Sequence, residues 1–265
     1  MPAARSAIVI GAARGIGAAT AVALGRAGGD VTLVDRCADD PRLPYALATP
    51  ADLEAAVADV RATGAAATGV VADACDADAI ATVVSDVEAR CGGVDAVVVS
   101  AGVIAGGVPV WEMPVEQVEA VLDIDLRAVI VAARAGVPAL LRRPEPRTGR
   151  FVAVASTAAA RGLPMLSAYC AAKAGVVGFV RALGAELRGT GVTANSVSPG
   201  STDTAILAQS ARLYALGAAG AFAPQQPIER LIEPAEVAEV IALLAGPGAG
   251  AMTGGDYAVD GGLAI

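Results

Sequence analysis

Tyr169 and Lys173 stand four residues apart in Tyr-Cys-Ala-Ala-Lys, a spacing that puts both side chains on one face of a helix. A free phenol has a pKa of about 10, so only about a thousandth of it is ionised at neutral pH. A neighbouring ammonium favours the phenolate. Lowering that pKa by about three units takes roughly 4 kcal/mol of differential stabilisation. Lys173 and the positive ring of an oxidised nicotinamide together are of the right sign and order. Such a tyrosine would take the proton of an alcohol as hydride leaves, or return it in the reverse direction. Ser156 ends an apolar run thirteen residues earlier, placed to hold a substrate oxygen by a hydrogen bond. Tyrosine–lysine pairs at this spacing are common on exposed helices, so the pair carries weight only beside Ser156 and a cofactor loop.

That loop is Gly11-Ala-Ala-Arg14-Gly15-Ile16-Gly17, between an apolar run and a helical pattern. Glycines let backbone approach a pyrophosphate, and a helix N-terminus offers unpaired N–H groups and positive potential. Asp35 ends the next apolar run, 18 residues after Gly17. An acid there accepts hydrogen bonds from the adenosine ribose and repels a 2′-phosphate, which favours NAD over NADP. Arg36 and Arg14 argue the other way, since either can hold that phosphate. Asp73-Ala74 and Ser100-Ala101-Gly102 close the third and fourth runs, where such sheets bind ligands. Taken singly, Asp73 also reads as a helix cap and Gly102 as a plain turn.

The elements that must position these residues alternate. Strand patterns fall at 7–10, 31–34, 68–72, 96–99, 151–155, 193–197 and 257–259, and helical patterns at 16–27, 51–63, 77–90, 114–141, 168–188 and 234–244. Repeated βα units predict an α/β fold: a doubly wound, Rossmann-like parallel sheet of about seven strands with helices on both faces. Two segments break the rhythm, a proline-rich insertion at 36–50 and an irregular stretch at 201–228 read as a substrate lid. No repeat or linker divides the chain, so residues 1–265 read as a single domain. Ile206, Leu207, Leu213, Tyr214, Leu216 and Phe222 of the lid, with Trp111 and Met165, predict a pocket for an apolar secondary alcohol or its ketone.

A net charge of −8 speaks against nucleic acid and against anionic membrane. The absence of histidine removes a Ser-His-Asp triad, and Cys37, Cys75, Cys91 and Cys170 show no metal-ligand spacing, so no metal is expected. No segment approaches the length of a spanning helix and no signal-peptide pattern precedes the first strand, which reads as cytoplasmic.

Gly11-x-x-x-Gly15-x-Gly17, Asp35, Ser100-Ala-Gly102, Ser156, Tyr169-x-x-x-Lys173, Pro199-Gly200 and the ending Thr253-Gly-Gly-Asp-Tyr-Ala-Val-Asp-Gly-Gly262 occur in the order of the short-chain dehydrogenase/reductase family. The resemblance runs over essentially the whole chain. It implies that Pro199, Gly200, Thr202 and Thr204 border the nicotinamide and that Lys173 touches its ribose. It implies also a homotetramer built by the helices around 114–142 and 165–188. Three departures stand out. Ile10 replaces a usual threonine, and Val99-Ser100 stands where many members carry two asparagines. Ile124-Asp125-Leu126 occupies the place of a segment whose asparagine holds a proton-relay water. Asp125 joins Ser156, Tyr169 and Lys173 as a candidate catalytic residue on that basis: ionised aspartate accepts hydrogen bonds but donates none, so only a relay through its main-chain carbonyl survives.

The run Leu43-Pro-Tyr-Ala-Leu-Ala-Thr-Pro-Ala-Asp-Leu53 is similar to a segment of mycofactocin-associated members of the family. That likeness implies NAD held without exchange and re-oxidised in place by mycofactocin. An ordinary member exchanging NAD or NADP, and a catalytically silent nucleotide sensor, remain the alternative readings.

Overall fold

The computed structural model describes residues 5–264; the first four residues and residue 265, within the span read as one domain, lie outside the described residues. Seven strands form one sheet: β1 (Ser6–Ile10), β2 (Asp30–Asp35), β3 (Ala67–Val71), β4 (Ala96–Val99), β5 (Arg150–Val154), β6 (Thr193–Pro199) and β7 (Asp256–Val259). Their order is β3-β2-β1-β4-β5-β6-β7, and every neighbouring pair is parallel. The predicted doubly wound sheet is therefore present, with all seven strands where the pattern placed them to within about two residues.

Among the described residues eight α-helices cover it: α1 (Gly15–Arg26), α2 (Pro50–Ala62), α3 (Ala77–Cys91), α4 (Val115–Leu122), α5 (Ala128–Arg142), α6 (Ser167–Glu186), α7 (Ala205–Leu213) and α8 (Pro234–Ala245). Successive strand residues point to opposite faces. Ile8, Ile10, Val97, Val99 and Phe151 pack with α3, α5 and α6 on one side. Val9, Leu33, Val98, Val152 and Val197 pack with α1, α2 and α8 on the other. β1, β4, β5 and β6 are buried throughout, while β3 and β7 at the edges are partly open, which is why the inner strands read as unbroken apolar runs.

Three expectations needed correction. The helix read over 114–141 is broken by a π-helical turn, Asp123–Arg127, between α4 and α5; its apolar spacing continues through the turn, so periodicity alone does not reveal it. The lid contains α7, started by the Thr204 hydroxyl, which accepts from the Leu207 N–H at 3.3 Å. Finally, α6 is long and apolar enough to cross a membrane by length and composition, although no stretch was expected to reach that length. Its Ala172, Val176, Val177, Val180 and Leu183 are buried in the fold, the pattern of a core helix.

Candidate active site

A cleft of about 830 Å³ opens beyond the carboxyl ends of the strands, around the place where the order reverses between β1 and β4. Gly11, Arg14, Gly15, Ile16, Asp35, Arg36, Asp73, Ala74, Ser100, Ala101, Gly102, Asp125, Ser156, Tyr169, Lys173, Pro199, Gly200, Thr202 and Thr204 all line it. Of the candidate residues only Gly17 lies beneath the surface of the cleft, buried at the start of α1.

Its glycine end is shaped by the absence of side chains. Gly11 has φ +80° and touches the backbone of Ala101, so a Cβ there would overlap β4's exit loop. A Cβ on Gly17 would meet the carbonyl oxygen of Gly11. Among the described residues no side chain caps α1, whose N-terminal N–H groups follow directly from this loop. Asp35 accepts from the Ala13 N–H at 3.0 Å and the Cys37 N–H at 3.3 Å, which fixes its carboxylate beside the loop. Arg36, the argument for NADP, is turned to acids instead: Asp40 at 2.8 Å and Asp73 at 3.7 Å. The glycine cradle, the open helix end and the placed carboxylate fit a dinucleotide with an unphosphorylated ribose.

The chemical end is built on α6. Lys173 Nζ lies 5.7 Å from the centroid of the Tyr169 ring, donates to the Val154 carbonyl at 3.1 Å and sits 3.1 Å from Asp125. Asp125, fully buried in the π-helical turn, also accepts from the Val103 N–H at 3.3 Å. Burial pushes the Asp125 carboxyl up to about 6, against the pull of Lys173. For Lys173 burial works against the charge, but Asp125 and Tyr169 outweigh it and hold the ammonium above its ordinary value. Burial raises the Tyr169 phenol, with Lys173 opposing and Asp125 reinforcing the rise. The expected lowering invoked Lys173 together with an oxidised nicotinamide; in the chain alone Lys173 pulls the phenol down as expected, and burial outweighs it. The Ser156 hydroxyl faces the phenol and accepts from the Ala158 N–H at 3.1 Å.

Several residues of the site escaped sequence reasoning. Tyr45, from the insertion, accepts from the Ile104 N–H at 2.9 Å and lines the cleft with Leu47 and Ala48. Asp40, buried at 2 % exposure, binds Arg36 and Arg42, and Arg42 reaches Asp123 of the π-helical turn at 2.8 Å. Gln226 is buried and accepts from the Ser201 N–H at 2.8 Å, holding the chain that follows Gly200. Their polar types in apolar or proline-rich surroundings were the available signal. Of the expected substrate pocket, Ile206, Leu207, Tyr214, Leu216 and Phe222 are present. Leu213, Met165 and the exposed Trp111 are not among its walls. Leu163, Pro164 and Leu166 of the loop before α6 take their place, and the Tyr214 hydroxyl donates to the Pro164 carbonyl at 2.7 Å, tying lid to loop.

A doubly wound sheet with a dinucleotide cradle at one end of its cleft and a tyrosine–lysine pair at the other defines a nucleotide-dependent oxidoreductase. A sequence profile described as Enoyl-(Acyl carrier protein) reductase matches residues 11–264, and the chain belongs to the short-chain dehydrogenase/reductase family. It is 40% identical over 206 residues to 2-dehydro-3-deoxy-L-rhamnonate dehydrogenase (NAD(+)) of Sphingomonas sp. strain SKA58, covering 77% of this chain and 75% of that one. It is 36% identical to cis-4-hydroxycyclohexanecarboxylate dehydrogenase of Sinomonas cyclohexanicum, covering 97% and 96%. Among solved structures, carveol dehydrogenase from Mycobacterium avium in complex with NAD superposes with a TM-score of 0.91 at 28% identity, over 99% of this chain and 98% of that one.

Proposed function

We propose that the chain interconverts an apolar secondary alcohol and its ketone with NAD, and that Tyr169 exchanges the proton. The observation that carries this reading is the convergence of Tyr169, Lys173 and Ser156 in the same cleft as the glycine cradle and Asp35. Gly11, Gly15, Ile16 and Gly17 would admit the pyrophosphate, Asp35 the adenosine ribose, and Asp73, Ala74, Ser100, Ala101 and Gly102 the flank between. Pro199, Gly200, Thr202 and Thr204 would border the nicotinamide, and Lys173 its ribose. When bound, NAD supplies the acceptor or donor of hydride. Ser156 orients the substrate oxygen and Tyr169 takes or returns the proton there. Ile206, Leu207, Leu216 and Phe222 exclude water around an apolar body. NAD-dependent relatives and the NAD-bound carveol dehydrogenase support the cofactor and the alcohol chemistry.

We read the chain as one domain in which the insertion 36–50 covers the cofactor so that NAD does not exchange, with mycofactocin re-oxidising it in place. Support comes from the resemblance of 43–53 and from the anchoring of Asp40, Arg42 and Tyr45. A homotetramer is supported by the small exposed residues Ala171, Ala174 and Gly178 on α6, which permit close approach of a second copy.

The test has two parts. Protein purified without added cofactor, desalted and denatured, should release near-stoichiometric NAD by mass; an empty protein overturns the non-exchanging part. Tyr169→Phe should lose turnover by roughly 100-fold or more, and unchanged turnover removes the chemical assignment.

A further inference from the structure

The Lys173 ammonium has an acidic partner of its own. Asp125 Oδ1 lies 3.1 Å from Nζ, the two side chains being 0 % and 4 % exposed. The carboxylate also accepts from the Val103 N–H, at 3.3 Å to Oδ1 and 3.4 Å to Oδ2. A Cβ added to Gly102 would stand 2.9 Å from Oδ1, so the carboxylate occupies the space that the missing side chain leaves. An amide at this position would be neutral; an ionised carboxylate carries a full charge.

To Tyr169 the consequence is electrostatic. An isolated ammonium presents a monopole, whereas an ammonium paired with a carboxylate presents a dipole, whose field falls off faster with distance. The groups that face the phenol are Lys173 and Cys170 from α6, Asp125 from the π-helical turn, Ser156 beyond β5 and Tyr45 from the insertion. Lys173 is the sole cation among these five, and its charge is balanced by Asp125.

We propose that Asp125 is a positioning residue that sets the ionisation of Tyr169: it fixes Lys173 as a protonated donor and cancels much of its field at the phenol. This rests on the reading of Tyr169 as the proton-exchanging group. Its consequence is that the phenol of this chain ionises at higher pH than it would beside an uncompensated lysine. Phenolate formation then depends on further positive charge reaching the site.

The experiment is a phenolate absorbance titration of the chain without added nucleotide. Subtracting the Tyr169→Phe curve isolates Tyr169 from the other three of the four tyrosines. The same subtraction is made in an Asp125→Asn background. The asparagine should bring the Tyr169 midpoint down by about one to three units, and the pH of half-maximal alcohol oxidation should move the same way. An unchanged or raised midpoint overturns the proposal. Should the variant fail to fold, the double variant Asp125→Asn/Lys173→Met, which removes both charges, decides in the same titration: a Tyr169 midpoint within about half a unit of wild type supports a compensated lysine, and one raised beyond that overturns it. Turnover retained by Tyr169→Phe strikes the functional reading itself, whereas a fixed midpoint in Asp125→Asn strikes only the charge assignment.

Discussion

Asp125 and Lys173 form a salt bridge of 3.1 Å with almost no solvent contact. Opposite charges buried together cost desolvation on both sides, and removing one partner leaves the other exposed to that cost. Lys173→Met should therefore destabilise the fold by about 3–5 kcal/mol, measured by denaturant unfolding. Adding Asp125→Asn in the same background should recover part of the loss, a non-additivity that a double-mutant cycle reads directly. The pH sign follows from the carboxyl. Its folded pKa, already up to about 6 by burial, rises further without the lysine. Stability is then greatest in acid and falls as pH climbs through that raised value. A Lys173→Met protein no less stable at pH 8 than at pH 5 would refute this.

The insertion offers the opposite sign. Asp40 is held well below the usual carboxylate range by the Arg42 side chain, with Arg36 and the Arg42 backbone N–H adding to the effect. A depressed carboxyl contributes stability that is fully present above its unfolded pKa and lost as pH falls through the folded one. Wild-type protein should lose this contribution below about pH 4. Asp40→Asn should be weaker at neutral pH by on the order of 3 kcal/mol and show a flatter acid limb, checked by thermal unfolding across pH.

Tyr45→Phe tests the cover over the cleft with a single atom. The change removes the acceptor of the Ile104 N–H while leaving the ring. A lost hydrogen bond of about 1 kcal/mol should speed loss of bound nucleotide by roughly five- to tenfold in a chase with labelled NAD. An unaltered off-rate would mean that the insertion does not gate the cofactor.

Asp35→Ser examines cofactor choice. Losing a charged acceptor for the ribose should weaken NAD by about 1.5–3 kcal/mol, or roughly ten- to a hundredfold, and relieve the repulsion of a 2′-phosphate. Arg36 is engaged by Asp40 and Asp73, so NADP binding should improve less than NAD binding declines. Titration of both nucleotides measures the two arms separately.

Much of this was legible in the residues. Helical spacing placed Tyr169 and Lys173 on one face of α6, and apolar runs of strand length marked β1 to β7. The glycine loop was readable because backbone approach to Ala101 tolerates no side chain. These are local rules, acting over a few residues and visible as spacing. The π-helical turn at Asp123–Arg127 was hidden because α4 and α5 continue the same apolar pattern on either side of it.

The remainder is set by contacts between distant segments. Nothing in the spacing of Asp125 and Lys173, or of Arg42 and Asp123, records that packing will bring each pair to about 3 Å. Nor does composition show that Trp111 stays exposed while Tyr45 enters the cleft. The chain alone determined which groups could hold a dinucleotide and exchange a proton, because those motifs are short and their geometry is helical or turn-like. Only the tertiary structure decided what charge Lys173 presents to Tyr169, because an electrostatic field is fixed by every charge that folding buries beside it.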